Sequence, residues 1–294
     1  IYYLRLLIST IVLICCFLAF TTTFSFFTKF FAVQLGPGIA SLISSFSITV
    51  LISVISIIIF TFLFGRFYCS LICPLGILQN FIGFLSLKNS KNYKNMAKTR
   101  YTIAALVFGA LFCGWAVGFK ILDPYTNFGL IASSLFTPVY SFITGLEIYR
   151  FTVPIFLISL MPFVILVYLV LFKRRFFCTA ICPVGTALGL FAKYGIFRLK
   201  IENNCVTCGA CFRNCPAGSI NLKDKKIDNE LCIRCLRCVA AYPKKTISFG
   251  TVNSNIKPIS FNHLIVLFNL SFSLLAFAKV LTFPVISSLP SVTI

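Results

Sequence analysis

The sequence predicts a mainly α-helical fold, in which a bundle of about five transmembrane helices carries a small α+β module. Two observations support the helix bundle. Hydrophobic residues make up 59% of the chain and charged residues only 11%, and the mean hydropathy is +0.98. Several apolar runs are long enough to cross a hydrocarbon core, which takes about 20 residues. The module is predicted from a polar, cysteine-rich segment that separates the fourth apolar run from the fifth.

Hydropathy alone places the five transmembrane helices. A soluble domain of this composition is excluded, because folded soluble proteins need a charged exterior. The first run is too long for the core of a signal peptide and has no small-residue cleavage site near its end, so we expect a retained helix. The expected helices cover 6–27, 39–64, 101–119, 152–172 and 260–282.

The formal net charge of +20 is distributed unevenly along the chain. With 66–100 and 173–258 on one side of the membrane, and Arg5 with them if the N-terminus lies on that side, that side holds all but four of the 26 Lys and Arg residues. The positive-inside rule makes this side cytoplasmic, which predicts a multi-pass protein of a bacterial inner (cytoplasmic) membrane. No nucleic-acid recognition motif accompanies the charge, so we expect membrane lipid, and not nucleic acid, as its partner. The four exceptions are Lys29, Lys120, Arg150 and Lys279.

An internal repeat marks the membrane part of the chain. The pattern Arg-Phe-aromatic-Cys-x-x-x-Cys-Pro-x-Gly occurs at 66–76 and again at 175–185. Each copy follows an apolar run, and two expected helices lie between the copies, so both copies face the same side of the membrane. The sequence therefore predicts two parallel repeats, for which duplication of a helix hairpin is the simple explanation.

The strongest signal lies in the segment 203–250. Its first cysteine run, Cys-x-x-Cys-x-x-Cys-x-x-x-Cys-Pro, is the complete bacterial ferredoxin signature, and a second run follows it. Soft thiolates at this spacing suit iron–sulfur clusters. Paired zinc knuckles are the alternative, but zinc ribbons separate their C-x-x-C units more widely. The two runs supply Cys205, Cys208, Cys211 and Cys215, and then Cys232, Cys235 and Cys238.

The fourth cysteine of a ferredoxin run binds the neighbouring cluster, which predicts two unequal sites. The complete [4Fe–4S] site consists of Cys215, Cys232, Cys235 and Cys238. The remaining cysteines are Cys205, Cys208 and Cys211, and Tyr242 stands at their missing fourth-ligand position. This altered site could hold a [3Fe–4S] cluster, a [4Fe–4S] cluster with a non-cysteine ligand, or no cluster. We expect it to be occupied, because three well-spaced thiolates remain.

The repeat contains four more cysteines at the expected membrane edge. Paired thiols four residues apart share one face of a helix. If the two repeats pack together, the four thiols provide a full ligand set for a third cluster. A reversible thiol pair is a second interpretation, and small buried residues left from duplication are a third. The four are Cys69, Cys73, Cys178 and Cys182.

The two Cys-x-x-x-Cys-Pro segments followed by a ferredoxin module resemble the membrane polyferredoxins of the NapH/NosR/MauN type. The resemblance covers roughly residues 1–250. It implies electron transfer between quinol, cytoplasmic ferredoxin-type carriers and a partner redox protein, although some members serve in cofactor assembly or maturation. Tyr242 and the fifth apolar run depart from the pattern of this family.

We therefore expect an electron-transfer subunit of an oxidoreductase complex and not a complete enzyme. Electrons would pass between cytoplasmic ferredoxin-type clusters and quinone or a membrane redox partner. The alternative is a maturation or metal-reduction factor for another redox enzyme, but the chain has only two Met and one His as further soft ligands. The expected domains are a transmembrane domain at 1–202, the iron–sulfur module at 203–250 and a C-terminal transmembrane helix at 251–294.

Overall fold

Most of the described chain is helical, and four short strands lie between residues 197 and 251. The structure, a computed structural model, describes residues 2–21, 34–36, 38–39, 48–85, 96–115, 117–133, 153–172, 174–202, 204–241 and 247–251. The expected fifth transmembrane helix, at 260–282, and Tyr242 lie outside these ranges.

Four helices of the first half of the helical part lie in the ranges that the structure describes. Apolar β-branched and aromatic residues fill the two longer helices that precede the first repeat motif, and a proline begins the helix that follows the motif. The helices are α1 (Tyr2–Thr21), α2 (Ile48–Phe64), α3 (Tyr68–Leu71) and α4 (Pro74–Leu85).

The second half repeats this order of two long helices, a motif and a third helix. Helices α6 and α7 lie between its two long helices, and a π-helical turn takes the place of α3. The elements are α5 (Ala97–Phe112), α6 (Val117–Leu122), α7 (124–133), α8 (Val153–Phe172), the π-helical turn Phe177–Ile181 and α9 (Pro183–Lys193).

One expected transmembrane helix is interrupted. The sequence predicts a continuous helix over 101–119, but α5 ends at Phe112 and Gly114 has a φ of 84°. This left-handed conformation suits glycine and ends a helix, so α6 is a separate element. Asp123 caps α7, since its carboxylate accepts a hydrogen bond from the backbone N–H of Thr126 at 2.9 Å.

Among the described residues, one helix is long and apolar enough to cross a membrane by itself. This helix covers Tyr2–Phe20, and two shorter apolar helices cover Val50–Phe64 and Leu160–Leu171. The structure thus confirms a mostly helical protein, while the expected bundle of five transmembrane helices remains a prediction.

Helices of each repeat pack against helices of the other repeat. The helix after the second motif, α9, packs against α2 in the first repeat, and α4 packs in turn against α8. The first helix of each half also occupies an equivalent place, since α1 contacts α4 and α5 contacts α9. The duplicated unit therefore consists of two helices, a Cys-x-x-x-Cys motif and a third helix, which is longer than the sequence pattern alone shows.

The cysteine-rich module has the predicted α+β character. Two antiparallel pairs of strands enclose two short helices, and the aromatic ring of Phe197 stacks on Phe64 at the end of α2 with 5.4 Å between ring centroids. This contact attaches the module to the helical part. The elements are β1 (Phe197–Ile201), which pairs with β4 (Ile247–Thr251), β2 (Ile220–Asn221), which pairs with β3 (Lys226–Ile227), and the helices α10 (Ala210–Asn214) and α11 (Arg237–Ala240).

Candidate iron–sulfur sites

The four cysteines of the predicted complete site line one cavity. Its walls are mainly apolar. Leu199 of β1 and Ile220 of β2 contribute side chains to them. The last cysteine of the first run thus lies beside the three cysteines of the second run, in the arrangement that two-cluster ferredoxins use. We call this group the complete site. Its cysteines are Cys215, Cys232, Cys235 and Cys238, all of them buried.

Unusual backbone angles shape both cysteine runs. In the second run, Arg234 and Leu236 flank the middle cysteine with φ values of 54° and 59°. In the first run, Thr207 and Gly209 flank the middle cysteine with φ values of 51° and 75°. Such angles cost roughly 1–3 kcal/mol each for residues other than glycine, and they persist only where other interactions compensate. The repeated pattern turns successive thiols toward one cavity in each run.

The environment of the complete site favours metal ligation. Burial raises the pKa of the Cys215 thiol to about 11, and the nearby Cys235 adds to this rise. Burial also raises the pKa of Cys238, and the neighbouring thiols of Cys235 and Cys232 raise it further. Four thiolates could not lie together in a dry cavity without a positive charge between them, and an iron–sulfur core supplies that charge. The residues therefore fit a [4Fe–4S] cluster. In the described ranges, no three His, Cys, Asp or Glu side chains are arranged to hold a single metal ion.

The altered site is more open to solvent. Cys205, Cys208 and Cys211 line a second pocket together with Leu222 and Ile247. Cys208 is exposed and Cys205 is partly exposed, whereas Cys211 is buried. Two of the three cysteines of the first run are therefore accessible at the surface of the module.

The four cysteines of the repeat are brought together by the packing of the two motifs. In each motif the second cysteine lies between a short helical turn and the helix that follows, because Pro74 begins α4 and Pro183 begins α9. Burial raises the pKa of Cys73 well above its usual value, and the thiols of the other three raise it further. We call this set the four-thiol group. It consists of Cys69, Cys73, Cys178 and Cys182, all of them buried.

Two arginines connect the motifs reciprocally. The Arg66 guanidinium donates through Nη2 to the carbonyl oxygen of Cys178 at 2.9 Å. The Arg175 guanidinium donates through Nη1 to the carbonyl oxygen of Cys69 at 3.1 Å. Burial raises the pKa of the Cys178 thiol, while the positive charges of Arg175 and Arg66 act in the opposite direction. Sequence reasoning recorded both arginines as part of the repeat and missed this role, although their recurrence beside each cysteine pair was the available signal.

Glycine is required where these arginines pass. A Cβ atom on Gly76 would lie 2.3 Å from the carbonyl oxygen of Cys69 and 3.1 Å from Nη1 of Arg175. A Cβ atom on Gly185 would lie 2.6 Å from the carbonyl oxygen of Cys178 and 2.7 Å from Nη2 of Arg66. The Cys-Pro-x-Gly part of each motif therefore provides room for the arginine of the other motif.

Arg5 joins the four-thiol group to the complete site. Its Nη1 donates to the carbonyl oxygen of Cys235 at 2.8 Å, and its Nη2 donates to the carbonyl oxygen of Ser70 at 3.1 Å. Ser70 follows Cys69 directly, so one side chain spans the distance between the two cysteine groups. Sequence reasoning counted Arg5 only as a charge that defines topology, and no local pattern marks its contact with a residue 230 positions away.

An ion pair attaches the module to α5. Glu230 forms an ion pair with Arg100 and accepts a hydrogen bond from Tyr101. Its backbone carbonyl also accepts from Nη1 of Arg66 at 2.9 Å. The surface between module and helices is thus rich in buried arginine. The buried arginines are Arg5, Arg66, Arg100, Arg175, Arg234 and Arg237.

Comparison with known proteins gives the family. The sequence model of the family described as "4Fe-4S binding domain" matches residues 46–92, 102–116 and 153–204. These ranges contain the four-thiol group and end directly before Cys205. No solved structure matches the chain.

Several known proteins are similar to this chain in sequence. An uncharacterized protein of Methanocaldococcus jannaschii is 31% identical over 210 residues, which is 71% of this chain and 74% of the relative. The methylamine utilization ferredoxin-type protein MauN of Methylobacillus flagellatus is 30% identical and covers 57% of this chain and 54% of its own length. The ferredoxin-type protein NapH of Haemophilus influenzae is 23% identical and covers 70% of this chain and 69% of its own length. With its cysteine groups arranged as described, this chain belongs to the 4Fe-4S binding domain family, together with the ferredoxin-type proteins MauN and NapH.

Proposed function

We propose that this chain is a membrane-bound iron–sulfur protein that passes electrons between ferredoxin-type clusters and quinone or a membrane redox partner. The observation that carries the proposal is the complete site, in which Cys215 of the first run shares a cavity with the three cysteines of the second run. Relatives whose names describe them as ferredoxin-type proteins, or as a putative electron transport protein, support the same class of function.

The positions of the three cysteine groups suggest the order in which an electron would pass through them. The altered site, with the exposed Cys208, is accessible to a soluble carrier. The complete site lies next, and Arg5 connects its Cys235 to the four-thiol group through two hydrogen bonds. Iron–sulfur clusters supply one-electron chemistry when bound. The protein supplies the thiols, excludes water from the inner groups and provides hydrogen bonds between successive sites.

We propose the following organisation for this function. Residues 1–202 form a transmembrane domain with two parallel repeats, residues 203–250 form the iron–sulfur module, and residues 251–294 add a transmembrane helix. The module faces the cytoplasm. The distribution of Lys and Arg supports this orientation, and the apolar α1 supports attachment to a membrane.

Iron and sulfide analysis of the full chain, purified anaerobically, tests the proposal. We expect about 7 or 8 Fe from the module and about 4 more if the four-thiol group binds a cubane. A variant with Cys69, Cys73, Cys178 and Cys182 replaced by Ser should lose one EPR signal and about 4 Fe while the module signals remain. Zinc in place of iron would overturn the proposed function.

A further inference from the structure

Two buried cations lie beside the four-thiol group, and neither has an acidic partner among the residues that the structure describes. Arg66 and Arg175 are 0% and 1% exposed. Both donate hydrogen bonds to backbone carbonyl oxygens, Arg66 to Glu230 and Cys178 and Arg175 to Cys69. Nε and Nη2 of Arg175 have no hydrogen-bond acceptor in the described part of the chain. Within the same residues, the one ion pair joins Arg100 to Glu230 and so does not involve either arginine.

Two carboxylates lie near this region, and neither forms an ion pair with Arg66 or Arg175 in the described part of the chain. The carboxylate of Glu230 binds Arg100 and Tyr101. Asp123 lies near enough to influence Cys182, but its hydrogen bonds go to Thr126 at the start of α7. Carbonyl dipoles alone compensate poorly for two buried guanidinium groups, which stay protonated in proteins. The region therefore needs negative charge from another source.

We infer that Arg66 and Arg175 are the counter-charges of an anionic iron–sulfur cluster bound by Cys69, Cys73, Cys178 and Cys182. An oxidised cubane core carries two positive charges, and its four thiolates carry four negative charges, so the cluster has two negative charges in total. Two arginines balance that charge. Four neutral thiols, or two disulfides, would leave both cations without compensation. This inference rests on the proposed electron-transfer function and decides between the cluster and the thiol-pair interpretations of the repeat.

A neutral donor supports the same assignment. Gln79 is fully buried, its Oε1 lies 3.6 Å from Sγ of Cys178, and its Nε2 has no partner among the described residues. Rotation about the last side-chain torsion exchanges the oxygen and the nitrogen of the Gln79 amide. Rotation of the amide would direct an N–H group at the sulfur, and a thiolate ligand accepts such a hydrogen bond whereas a thiol at this position must donate.

The reciprocal arrangement makes the site a product of both repeats. Each motif contributes two thiols, and the arginine of each motif binds beside the cysteine of the other, so a single repeat has neither the ligands nor the charge balance. When the cluster at the four-thiol group accepts an electron, its negative charge increases by one. The complete site is oxidised by one electron and the four-thiol cluster is reduced by one, and no proton or other atom moves. The two arginines stabilise the reduced state and so raise the reduction potential.

Substitutions at Arg175 test this inference most directly, because Arg66 also holds Glu230 and its loss would disturb the docking of the module. R175Q removes the charge and keeps a hydrogen-bond donor, whereas R175K keeps the charge. R198Q is the matched control, since Arg198 binds carbonyl oxygens of Gly195 and Lys193 away from the cysteine groups. The full-length variants are purified anaerobically, analysed for iron and titrated by EPR, with the four-cysteine variant used to assign the signal.

The expected results differ between the variants. R175K and R198Q keep the full iron content. R175Q loses about 4 Fe, or keeps them with a lower potential. At the potential where the wild-type cluster is half reduced, the ratio of reduced to oxidised cluster in R175Q then falls about tenfold, which corresponds to about 59 mV for one electron.

Three outcomes would overturn the inference. The first is an R175Q protein with wild-type iron content and an unchanged titration. The second is an R175K protein that loses as much iron as R175Q, which would indicate a structural role without a role for charge. The third is a wild-type protein whose module signals are intact but whose four repeat cysteines carry no iron and react as free thiols or disulfides. That third result leaves the proposed function standing, whereas loss of the module signals themselves would refute the proposed function.

Discussion

The guanidinium group of Arg66 donates a hydrogen bond of 2.9 Å to the carbonyl oxygen of Cys178. This contact joins the first repeat motif to the second, and its counterpart between Arg175 and Cys69 completes a reciprocal pair. Because each arginine emerges from one motif and ends in the other, the two cysteine pairs are held together by their own repeat sequence. The following predictions depend on this arrangement and on the docking of the module above it.

Substitution of Cys215 should affect the cluster bound by the other run. We expect C215S to lose about 4 Fe together with the EPR signal of the complete site, because its thiol lies in the cavity of Cys232, Cys235 and Cys238. C208S, the matched control, should disturb only the altered site. Iron content and EPR of the two proteins provide the measurement. Loss of the same signal in both variants would contradict the crossed arrangement.

Alanine at Gly76 or Gly185 should destabilise the protein. The added methyl group would meet a backbone carbonyl oxygen at 2.3 Å or 2.6 Å, and a backbone atom cannot move aside as a flexible side chain can. Overpacking of this kind costs about 1–3 kcal/mol. The midpoint temperature of unfolding in detergent should fall by about 2–4 °C for each kcal/mol.

Gly109 provides the control for this pair. It lies inside α5, and nothing lies within 4 Å of a Cβ atom placed there. Alanine at this position should stabilise the helix by roughly 0.5–1 kcal/mol, since glycine loses more conformational freedom on folding. Equal destabilisation by G76A, G185A and G109A would show that the effect comes from glycine replacement in general and not from the arginine contacts.

Loss of Arg5 should loosen the module from the helices. R5Q removes two hydrogen bonds from a charged donor, which are worth about 1.5–3 kcal/mol each. Hydrogen exchange should become faster at 231–236, next to the bond with Cys235, and should stay unchanged at 210–214 in α10. Electron transfer from the complete site to the four-thiol group should slow as well, which freeze-quench EPR would measure. An R5Q protein with unchanged exchange and transfer rates would remove Arg5 from the proposed path.

Asp123 should make stability depend on pH. Burial raises the pKa of its carboxyl above the ordinary value of 3.8, while hydrogen bonds from Thr126 oppose the rise. Because the folded-state pKa is the higher one, this carboxyl favours folding at pH values below 3.8, and that contribution is lost as the pH rises through the raised pKa. Tyr68, Tyr125 and Cys182 are nearby titratable groups that sense its charge.

Two variants separate this effect from helix capping. D123N keeps the cap of α7, because Asn and Asp are equivalent at this position, and it should remove the loss of stability on raising the pH. D123A also lacks the titrating carboxyl but loses the cap, so it should be less stable than D123N by about 0.5–2 kcal/mol at every pH. Thermal unfolding between pH 4 and 8 provides the measurement. A D123N protein with the pH dependence of the wild type would assign the effect to another group.

Local features of the cysteine runs could be predicted from sequence because their chemistry depends on short spacing. Two residues between successive cysteines place three thiols around one cluster, and this rule holds wherever the segment lies in the fold. The cap at Asp123 is predictable for the same reason, since the donor at Thr126 is three residues away. The break after α5 was missed, because hydropathy averages over a window and does not register the positive φ of a single glycine.

The sequence by itself determined the spacing of the cysteines, the apolar character of the helices and the existence of two equivalent motifs. The tertiary structure decided how the two motifs pack together. It also showed that arginines counted only by their charge in the sequence are buried and donate hydrogen bonds to backbone carbonyl oxygens. Arginine is exposed in most proteins, so composition alone predicts a surface charge for Arg5 and Arg66. Their partners are 230 and 112 positions away, and only the packing of α1 and the repeats brings such distant atoms to hydrogen-bonding distance.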